Sequence, residues 1–309
     1  MLNIYIAGNT GFLGRSINNE FLKDKKYNII KNKKRLDLTK YNSVSNFFKN
    51  NKIDYVINAA GLVGGIKKNI DNQIEFLETN FLIQSNLIKV AYENNIKKFV
   101  NISSSCVYPK NYNKPLKEDY ILNGKFEPSN EGYALAKVCG MKLSEFYKSK
   151  YNFNIITCIP CNLYGIDDKF FDESSHFVAG IISKIYRAKM NNDKFVTLWG
   201  SGNPKRELML NTDAAKAIKF CLENKKIKEQ NINIGTGIDF TIKEYAYKIK
   251  KILNYKGRII WDKSKPDGIK RKLLDISILK KYKFKNTFNI DEGFNIVISK
   301  FLNNSKFIF

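Results

Sequence analysis

Short apolar segments alternate with segments of helical periodicity over the first 160 residues, and this alternation constrains the fold more than any other feature. Five segments have the length and composition of buried strands: residues 2–8, 27–31, 54–61, 97–103 and 153–160. The helical segments between them cover about residues 12–22, 74–92 and 133–147. Strands that alternate with helices form a parallel sheet covered on both faces, so we expect an α/β fold with a doubly wound parallel sheet.

A glycine-rich segment lies between the first predicted strand and the first predicted helix. It consists of Gly8, Asn9, Thr10, Gly11, Phe12, Leu13 and Gly14. Glycines permit a tight turn and bring the backbone close to a pyrophosphate, which the free N–H groups of the helix start then bind. A structural turn is the alternative, but the placement between strand and helix favours a dinucleotide site in a Rossmann-type sheet.

After Gly165 the alternation of strand and helix patterns becomes less regular, and further strands and helices follow without a repeat or a low-complexity linker. We therefore expect a smaller C-terminal substrate lobe interleaved with the first domain. Residues 1–165 plus about 205–235 are predicted to form the Rossmann-type, NADP-binding domain. Residues from about 166–204 plus 236–309 are predicted to form the substrate-binding lobe.

The end of the second strand indicates which dinucleotide is bound. Residues 31–35, which include Lys33, are almost all cationic and suit a 2′-phosphate, whereas a carboxylate would favour the ribose hydroxyl of NAD. This pattern favours NADP(H), with solvated lysines as the alternative. Asp37 is a candidate acceptor for the adenine amino group, or alternatively a helix-capping or turn residue.

Global properties narrow the class of protein. The 309-residue chain opens without a basic and apolar leader and has no run of 18 apolar residues, so we expect neither a signal peptide nor a membrane span. Five cysteines, an odd number, favour a reducing cytoplasm over a disulfide framework. The net charge of +24 comes from lysines scattered along the chain, which favours solvated surfaces over a nucleic-acid partner and is compatible with an anionic substrate.

Tyr133 and Lys137 lie one turn apart on a predicted helix, where a nearby ammonium would lower the pKa of the phenol from about 10 towards neutrality. The same spacing follows Tyr27 and Tyr247, so the spacing alone carries little information. Tyr133 is selected because it lies on the helix after a serine-rich strand end. There, at the carboxyl end of the fourth strand, Ser104 can hydrogen-bond the oxygen that Tyr133 protonates.

Several motifs together resemble the extended short-chain dehydrogenase/reductases, and within them the GDP-L-fucose synthase group. The resemblance covers nearly the whole chain. Besides the glycine segment and the Tyr133/Lys137 pair, it rests on residues 63–66, 104–109, 130–131, 162–165, 175–176, 199–202, 206–207, 265–268 and 272–275.

The resemblance implies a role for each matching residue. The catalytic residues would be Ser104, Tyr133 and Lys137 for reduction, with Cys106 and His176 as the base and acid that move protons beside the keto group. Further cofactor contacts would come from Ser103, Lys137, His176 and a nicotinamide-side loop with Pro160, Asn162 and Leu163. The substrate-binding residues would be Lys184, Trp199, Arg206, Asp267 and Lys272.

The chemistry is consistent with these residue types. A carbon next to a ketone is acidic because its anion is delocalised as an enolate, and hydroxyl donors stabilise the enolate oxygen. A thiol and an imidazole can exchange the carbon-bound protons. A buried apolar thiol is the alternative for Cys106, and a filler role is the alternative for His176, the single histidine of the chain.

Departures from the group pattern leave the identity of the sugar open. Lys184 stands where an arginine is common and lacks the bidentate fork, and Gly132 stands where a proline is usual. Thr10 replaces an arginine that binds the 2′-phosphate in some members. Residues 208–212 replace an aromatic and acidic run. No metal site is expected, because the Cys158/Cys161 pair lacks two further ligands.

We therefore expect an NADPH-dependent epimerase/reductase of a GDP-4-keto-6-deoxy-sugar that serves surface polysaccharide synthesis. One alternative is a C4-reductase only, acting on a GDP-4-keto-6-deoxyheptose, and a remote one is a dinucleotide-sensing scaffold without activity. The resemblance also implies a homodimer through the helices near residues 74–92 and 133–150.

Overall fold

The elements follow the alternation that the sequence predicts. The computed structural model describes residues 1–32, 36–112, 114–171, 175–265 and 267–303. The strands are β1 (Leu2–Ala7), β2 (Tyr27–Ile30), β3 (Tyr55–Asn58), β4 (Lys98–Ile102), β5 (Ile155–Pro160), β6 (Asn162–Tyr164), β7 (Phe195–Trp199), β8 (Lys205–Leu210), β9 (Asn231–Ile234), β10 (Asp239–Thr241), β11 (Arg258–Asp262) and β12 (Arg271–Lys272). The helices are α1 (Phe12–Leu22), α2 (Tyr41–Lys49), α3 (Ile66–Asp71), α4 (Gln73–Glu93), α5 (Glu131–Tyr151), α6 (Phe177–Met190), α7 (Asn211–Glu223), α8 (Ile242–Ile252), α9 (Ser277–Lys281) and α10 (Ile290–Leu302).

The first sheet has six parallel strands in the order β2-β1-β3-β4-β5-β9. Side chains alternate between its faces: Ile4 and Ile6 enter the core on the side of α1 and α7, whereas Tyr5 enters the core shared with α2 and α4. Both faces are buried, as is usual for parallel sheets. The predicted doubly wound α/β fold is therefore confirmed.

A second sheet is built around β8. This strand pairs in parallel with β6 and β12 and antiparallel with β10, and a separate parallel pair joins β7 to β11. Helices α6, α8 and α10 cover these strands and form their own apolar core. The predicted division into lobes at residues 165, 204 and 235 stays a prediction. That division assigns residues 205–210 to the first domain, whereas in the structure they form β8 of the second sheet.

The buried carboxylate of Glu207 connects three chain segments around β8. It accepts hydrogen bonds from the backbone N–H groups of Thr236 and Gly237, after β9, and from the Leu274 N–H, after β12, at 2.5 to 2.8 Å. Glu207 is 1% exposed, and burial raises its pKa, while these hydrogen bonds act in the opposite direction. The carboxylate thus fixes β12 and the β9–β10 connection to β8.

Among the helices that the structure describes, none combines the length and apolar character needed to cross a membrane.

Replacing Glu207 with Gln should destabilise the protein. The amide presents an N–H group where one carboxylate oxygen accepts, so at least one buried N–H group loses its acceptor, at a cost of about 1–3 kcal/mol. Urea unfolding followed by circular dichroism measures this cost, with Glu78→Gln, an exposed residue of α4, as the matched control. Equal unfolding midpoints for the two variants would contradict the proposed anchoring role.

Candidate active site

Polar residues after β4 lie against the first turn of α5. The chain leaves β4 and enters the 3₁₀ turn Ser105–Val107. The Ser104 hydroxyl accepts a hydrogen bond from the Cys106 backbone N–H at 3.3 Å and is also hydrogen-bonded to the Tyr133 side chain. Ser104, Cys106 and Tyr133 therefore lie together at the carboxyl end of β4, where parallel sheets bind ligands.

Burial governs the acid strength of the Tyr133 phenol. Its ring packs edge-on against Phe76 with 6.3 Å between centroids, and burial raises the pKa of Tyr133 above its ordinary value, opposed in part by the hydrogen bond with Ser104. Lys137 Nζ donates to the Ile102 carbonyl at 2.9 Å and lies 5.7 Å from the centre of the Tyr133 ring. The predicted lowering of the Tyr133 pKa is therefore wrong: burial is the largest influence on this phenol and raises its pKa.

Lys137 is itself buried, at 4% exposure. Its removal from water disfavours the ammonium form and lowers the pKa of Lys137 to about 8. The ammonium can therefore lose its proton within the physiological range more readily than a surface lysine.

The sulfur of Cys106 faces two donors from different parts of the fold. Asn130 Nδ2 lies 3.1 Å from Cys106 Sγ, and Lys272 Nζ lies 3.9 Å from it. Asn130 ends the 3₁₀ turn Pro128–Asn130 before α5, whereas Lys272 belongs to β12. The second sheet thus supplies a cation to the residues at the end of β4.

His176 immediately precedes α6 and interacts with a carboxylate that the sequence analysis did not identify. His176 Nδ1 lies 2.8 Å from Asp168 Oδ1, and this hydrogen bond raises the pKa of His176. The His176 ring also packs against Phe12 of α1, with 5.4 Å between centroids. In the described residues His176 has no hydrogen bond or ring contact with Cys106 or Tyr133, so it is placed on the side of the glycine segment.

The glycine segment forms a tight backbone cradle between β1 and α1. Gly8 adopts a φ of +77°, and a Cβ there would lie 2.7 Å from the Ala60 backbone. A Cβ on Gly14 would lie 1.9 Å from the Gly8 carbonyl oxygen. Gly11 caps α1 with an extended conformation and without a side-chain hydrogen bond. The first N–H groups of α1, at Phe12 and Leu13, are therefore not capped by a side chain, and this geometry fits a pyrophosphate.

The other residues predicted to contact the cofactor lie in different parts of the fold. The Asp37 carboxylate accepts from the Thr39 backbone N–H and hydroxyl, as in a turn before α2, and Lys33 lies outside the described residues. Ser103 is buried and its hydroxyl donates to the sulfur of Met141.

Pro160 ends β5, while Asn162 and Leu163 lie in β6. Asn162 Oδ1 is buried without a hydrogen-bond partner in the described structure, and such an atom suits a donor on a ligand.

The predicted substrate residues lie on α6, β7, β8, β12 and the loop before β12. Lys184 Nζ lies 5.1 Å from the centre of the exposed Trp199 ring. The Asp267 carboxylate accepts from the Ser201 N–H and hydroxyl at 2.6 and 2.7 Å, and burial lowers the pKa of Arg206 while Asp267 opposes the shift. Arg206 and Lys272 are paired in register on β8 and β12. Three of these residues are cations, Lys184, Arg206 and Lys272, and Lys272 contacts Cys106.

Asp168 and Asn130 acquire their significance only from the fold. Asp168 lies in a loop eight residues before His176, and no local pattern distinguishes it from other loop aspartates.

Cys158 and Cys161 are both buried. The described part of the chain contains no cluster of three or more His, Cys, Asp or Glu side chains suited to a metal ion.

Comparisons with known proteins agree with this geometry. The chain is 41% identical to the GDP-L-colitose synthase of Yersinia pseudotuberculosis over 98% of both chains. It is 36% identical to the GDP-L-fucose synthase of Escherichia coli K12 over 97% of both chains. The structure of MlghC, a GDP-mannoheptose C4 reductase from Campylobacter jejuni with NADP bound, superimposes with a TM-score of 0.89 at 29% identity and covers 97% of this chain and 98% of its own.

These similarities confirm the resemblance that the motifs indicate. The model of the NAD dependent epimerase/dehydratase family matches residues 4–235, which include the glycine segment, the end of β4 and α5. The chain therefore belongs to the NAD dependent epimerase/dehydratase family.

Proposed function

We propose that this protein is an NADPH-dependent epimerase/reductase of a GDP-4-keto-6-deoxy-sugar, in nucleotide-sugar synthesis for surface polysaccharide. The observation that carries the proposal is the placement of Ser104, Cys106 and Tyr133 at one strand end, with Lys272 reaching Cys106 from the second sheet. A hydroxyl pair beside a thiol combines oxyanion stabilisation with a base, and both are needed beside a ketone. The relatives named as GDP-L-fucose and GDP-L-colitose synthases support a GDP-sugar substrate.

NADP(H) is the cofactor that fits this chain. The family is NAD-dependent and a similar reductase has NADP bound. The backbone cradle of residues 8–14 would hold the pyrophosphate, and Asn162 Oδ1 is an acceptor available to the nicotinamide end. When bound, NADPH supplies the hydride for reduction. We propose that Lys33, outside the described residues, contributes charge towards the 2′-phosphate.

In the proposed reduction, Tyr133 donates its proton to the keto oxygen while Ser104 donates a hydrogen bond to the same oxygen. The raised pKa keeps Tyr133 in the protonated form required of a donor. Lys137 fixes the start of α5 against the end of β4 through the Ile102 carbonyl. Its lowered pKa makes Lys137 a source of the proton that restores the phenol.

In the proposed epimerisation, Cys106 removes a proton from a carbon beside the ketone and His176 returns one from the opposite face. The electrons of the broken C–H bond pass to the keto oxygen, which Ser104 and Tyr133 stabilise as an enolate. Asp168 holds the His176 imidazole by its Nδ1 and stabilises the imidazolium form. His176 is therefore suited to the acid role.

The cations Lys184, Arg206 and Lys272 suit the diphosphate of a GDP-sugar. We propose that Lys184, Trp199, Arg206, Asp267 and Lys272 bind this substrate. The exposed Trp199 ring offers a stacking surface next to the Lys184 ammonium. Lys184, Trp199, Asp267 and Lys272 belong to the substrate-binding lobe of the predicted division, whereas Arg206 falls in the range 205–235 that the division gives to the NADP-binding domain.

A C4-reductase of a GDP-4-keto-6-deoxyheptose is the second candidate. A GDP-mannoheptose C4 reductase superimposes over nearly the whole chain with a TM-score of 0.89, and this observation favours it. The two candidates differ in whether protons beside the ketone are exchanged.

We further propose a homodimer through α4 and α5. These adjacent helices expose the large apolar side chains Ile74, Phe81, Leu82, Leu135 and Phe146. A surface of this kind on neighbouring helices is typical of an interface with a second copy.

The substrate class is tested by incubating the enzyme with GDP-4-keto-6-deoxymannose and with the corresponding heptose, each with NADPH, and following the product stereocentres by NMR. An epimerase/reductase should also incorporate deuterium from D₂O beside the ketone when NADPH is omitted. Cys106→Ser and His176→Asn should suppress this exchange more than reduction. Reduction without any exchange in the wild type would establish the reductase-only alternative.

Tyr133→Phe removes the proton donor but retains the ring that packs against Phe76. Reduction should fall by about 10²–10⁴-fold, measured as NADPH oxidation at 340 nm. Tyr247→Phe is the matched control because Tyr247 has the same lysine spacing but lies half-exposed on α8. A loss of activity in the control but not in Tyr133→Phe would reverse the assignment.

Asp168→Asn should lower the pKa of His176, because the carboxylate that stabilises the imidazolium is lost. His176 is the single histidine of the chain, so one C2–H resonance in a proton NMR titration reports it without ambiguity. Because the proposed acid must be protonated, the decline of deuterium exchange at high pH should begin at lower pH in the variant. An unchanged His176 titration would show that Asp168 does not govern it.

Phe81→Glu combined with Leu82→Glu should convert the dimer to a monomer, since two carboxylates cannot be buried in an apolar interface without a large desolvation cost. Light scattering after gel filtration gives the mass. Met190→Glu, at an exposed residue of α6, is the control and should leave the dimer intact. A wild-type protein that is monomeric would refute the proposed interface.

A further inference from the structure

The polar contacts that the described residues make with the Cys106 sulfur come from hydrogen-bond donors. Asn130 Nδ2 lies 3.1 Å from Sγ and Lys272 Nζ lies 3.9 Å from it, while the Cys106 backbone N–H is satisfied by Ser104. Cys106 also contributes to the raised pKa of the neighbouring Tyr133, which is therefore neutral. Hydrogen-bond donors placed in this way stabilise the anionic form of a sulfur.

We propose that Asn130 and Lys272 hold Cys106 as a thiolate and are positioning residues for its role as base. A cation beside a cysteine favours the thiolate, and a thiolate accepts hydrogen bonds more strongly than a thiol does. Within the described residues Lys272 forms no ion pair with a carboxylate. In the described structure its ammonium therefore faces the sulfur and not a carboxylate.

The Asn130 amide orientation agrees with an anionic sulfur. The amide nitrogen faces Sγ, and Oδ1 is buried without a partner in the described structure. A neutral thiol would instead favour the opposite orientation, in which its S–H donates to Oδ1. The side chain does not cap α5, so its replacement removes no helix cap.

The inference rests on the proposed function only where it gives the thiolate the role of a base. In that step the C–H bond beside the ketone breaks, an S–H bond forms, and the electron pair moves to the keto oxygen. Reprotonation of the carbon reverses these bond changes, so the step needs no oxidant, reductant or further reactant. Loss of Lys272 would remove the cation that the Cys106 sulfur faces.

Alkylation by iodoacetamide tests the thiolate without any substrate. The reagent is uncharged, so removing a lysine does not alter its approach, and peptide mass spectrometry resolves each cysteine of the full-length protein. The exposed Cys139 on α5 is an internal reference, and the buried Cys158, Cys161 and Cys221 report unfolding. At pH 7 Cys106 should react faster than Cys139.

Lys272→Met should slow alkylation of Cys106 by about tenfold or more while Cys139 is unchanged, and Lys272→Arg should restore part of the rate. Lys270→Met, which removes an exposed charge two residues away, is the matched control and should have no effect. Asn130→Ala should slow the reaction to a smaller extent. If the buried cysteines of Lys272→Met react, the fold is lost, and Asn130→Ala and Lys272→Arg then decide the question.

The proposal is overturned if Cys106 reacts no faster than Cys139, or if Lys272→Met and Lys270→Met give equal rates. These outcomes are independent of the proposed function. A fast, Lys272-dependent Cys106 in an enzyme that turns over no GDP-4-keto-sugar would refute the function and keep the thiolate. Deuterium exchange with the sugar, combined with an alkylation rate insensitive to Lys272, would keep the function and refute the positioning role.

Discussion

The arrangement of the site depends on one buried hydrogen bond, from the Lys137 ammonium to the Ile102 carbonyl at 2.9 Å. A buried ammonium is costly unless it is hydrogen-bonded, so this contact constrains the distance between the first turns of α5 and the end of β4. Tyr133 precedes Lys137 by one turn, and Ser104 follows Ile102 by two residues. Fixing the lysine therefore fixes the two hydroxyl groups relative to each other.

A polar layer inside the fold keeps α5 at this distance. Gln84 of α4 donates to the Ala136 carbonyl and accepts from Asn101 of β4, so one side chain links two helices and the sheet. Gly140 makes the close approach possible, since a Cβ there would lie 2.1 Å from Gln84 Oε1. Gly132 has a similar function, because its N–H donates to Gln73 Oε1, which a proline could not do.

The second sheet completes the site from the other direction. Glu207 anchors the backbone after β12 to β8, and β12 carries Lys272 to the Cys106 sulfur. Residues more than 160 positions apart in sequence thus form one polar cluster. The connection between the glycine segment and His176 is equally non-local, because Phe12 packs against the His176 ring and Asp168 is hydrogen-bonded to its Nδ1.

The sequence by itself determined the parallel sheet and the glycine segment between β1 and α1, because strand and helix periodicity and short motifs are local properties. The choice of Tyr133 as proton donor stays a prediction. The sequence did not reveal α2, α3 or the short strands around β8, whose apolar patterns are too short to be distinctive. Only the tertiary structure decided the raised pKa of Tyr133, the Asp168–His176 pair and the donors around Cys106. Burial and contacts between distant segments set these properties, and neither is written in the spacing of neighbouring residues.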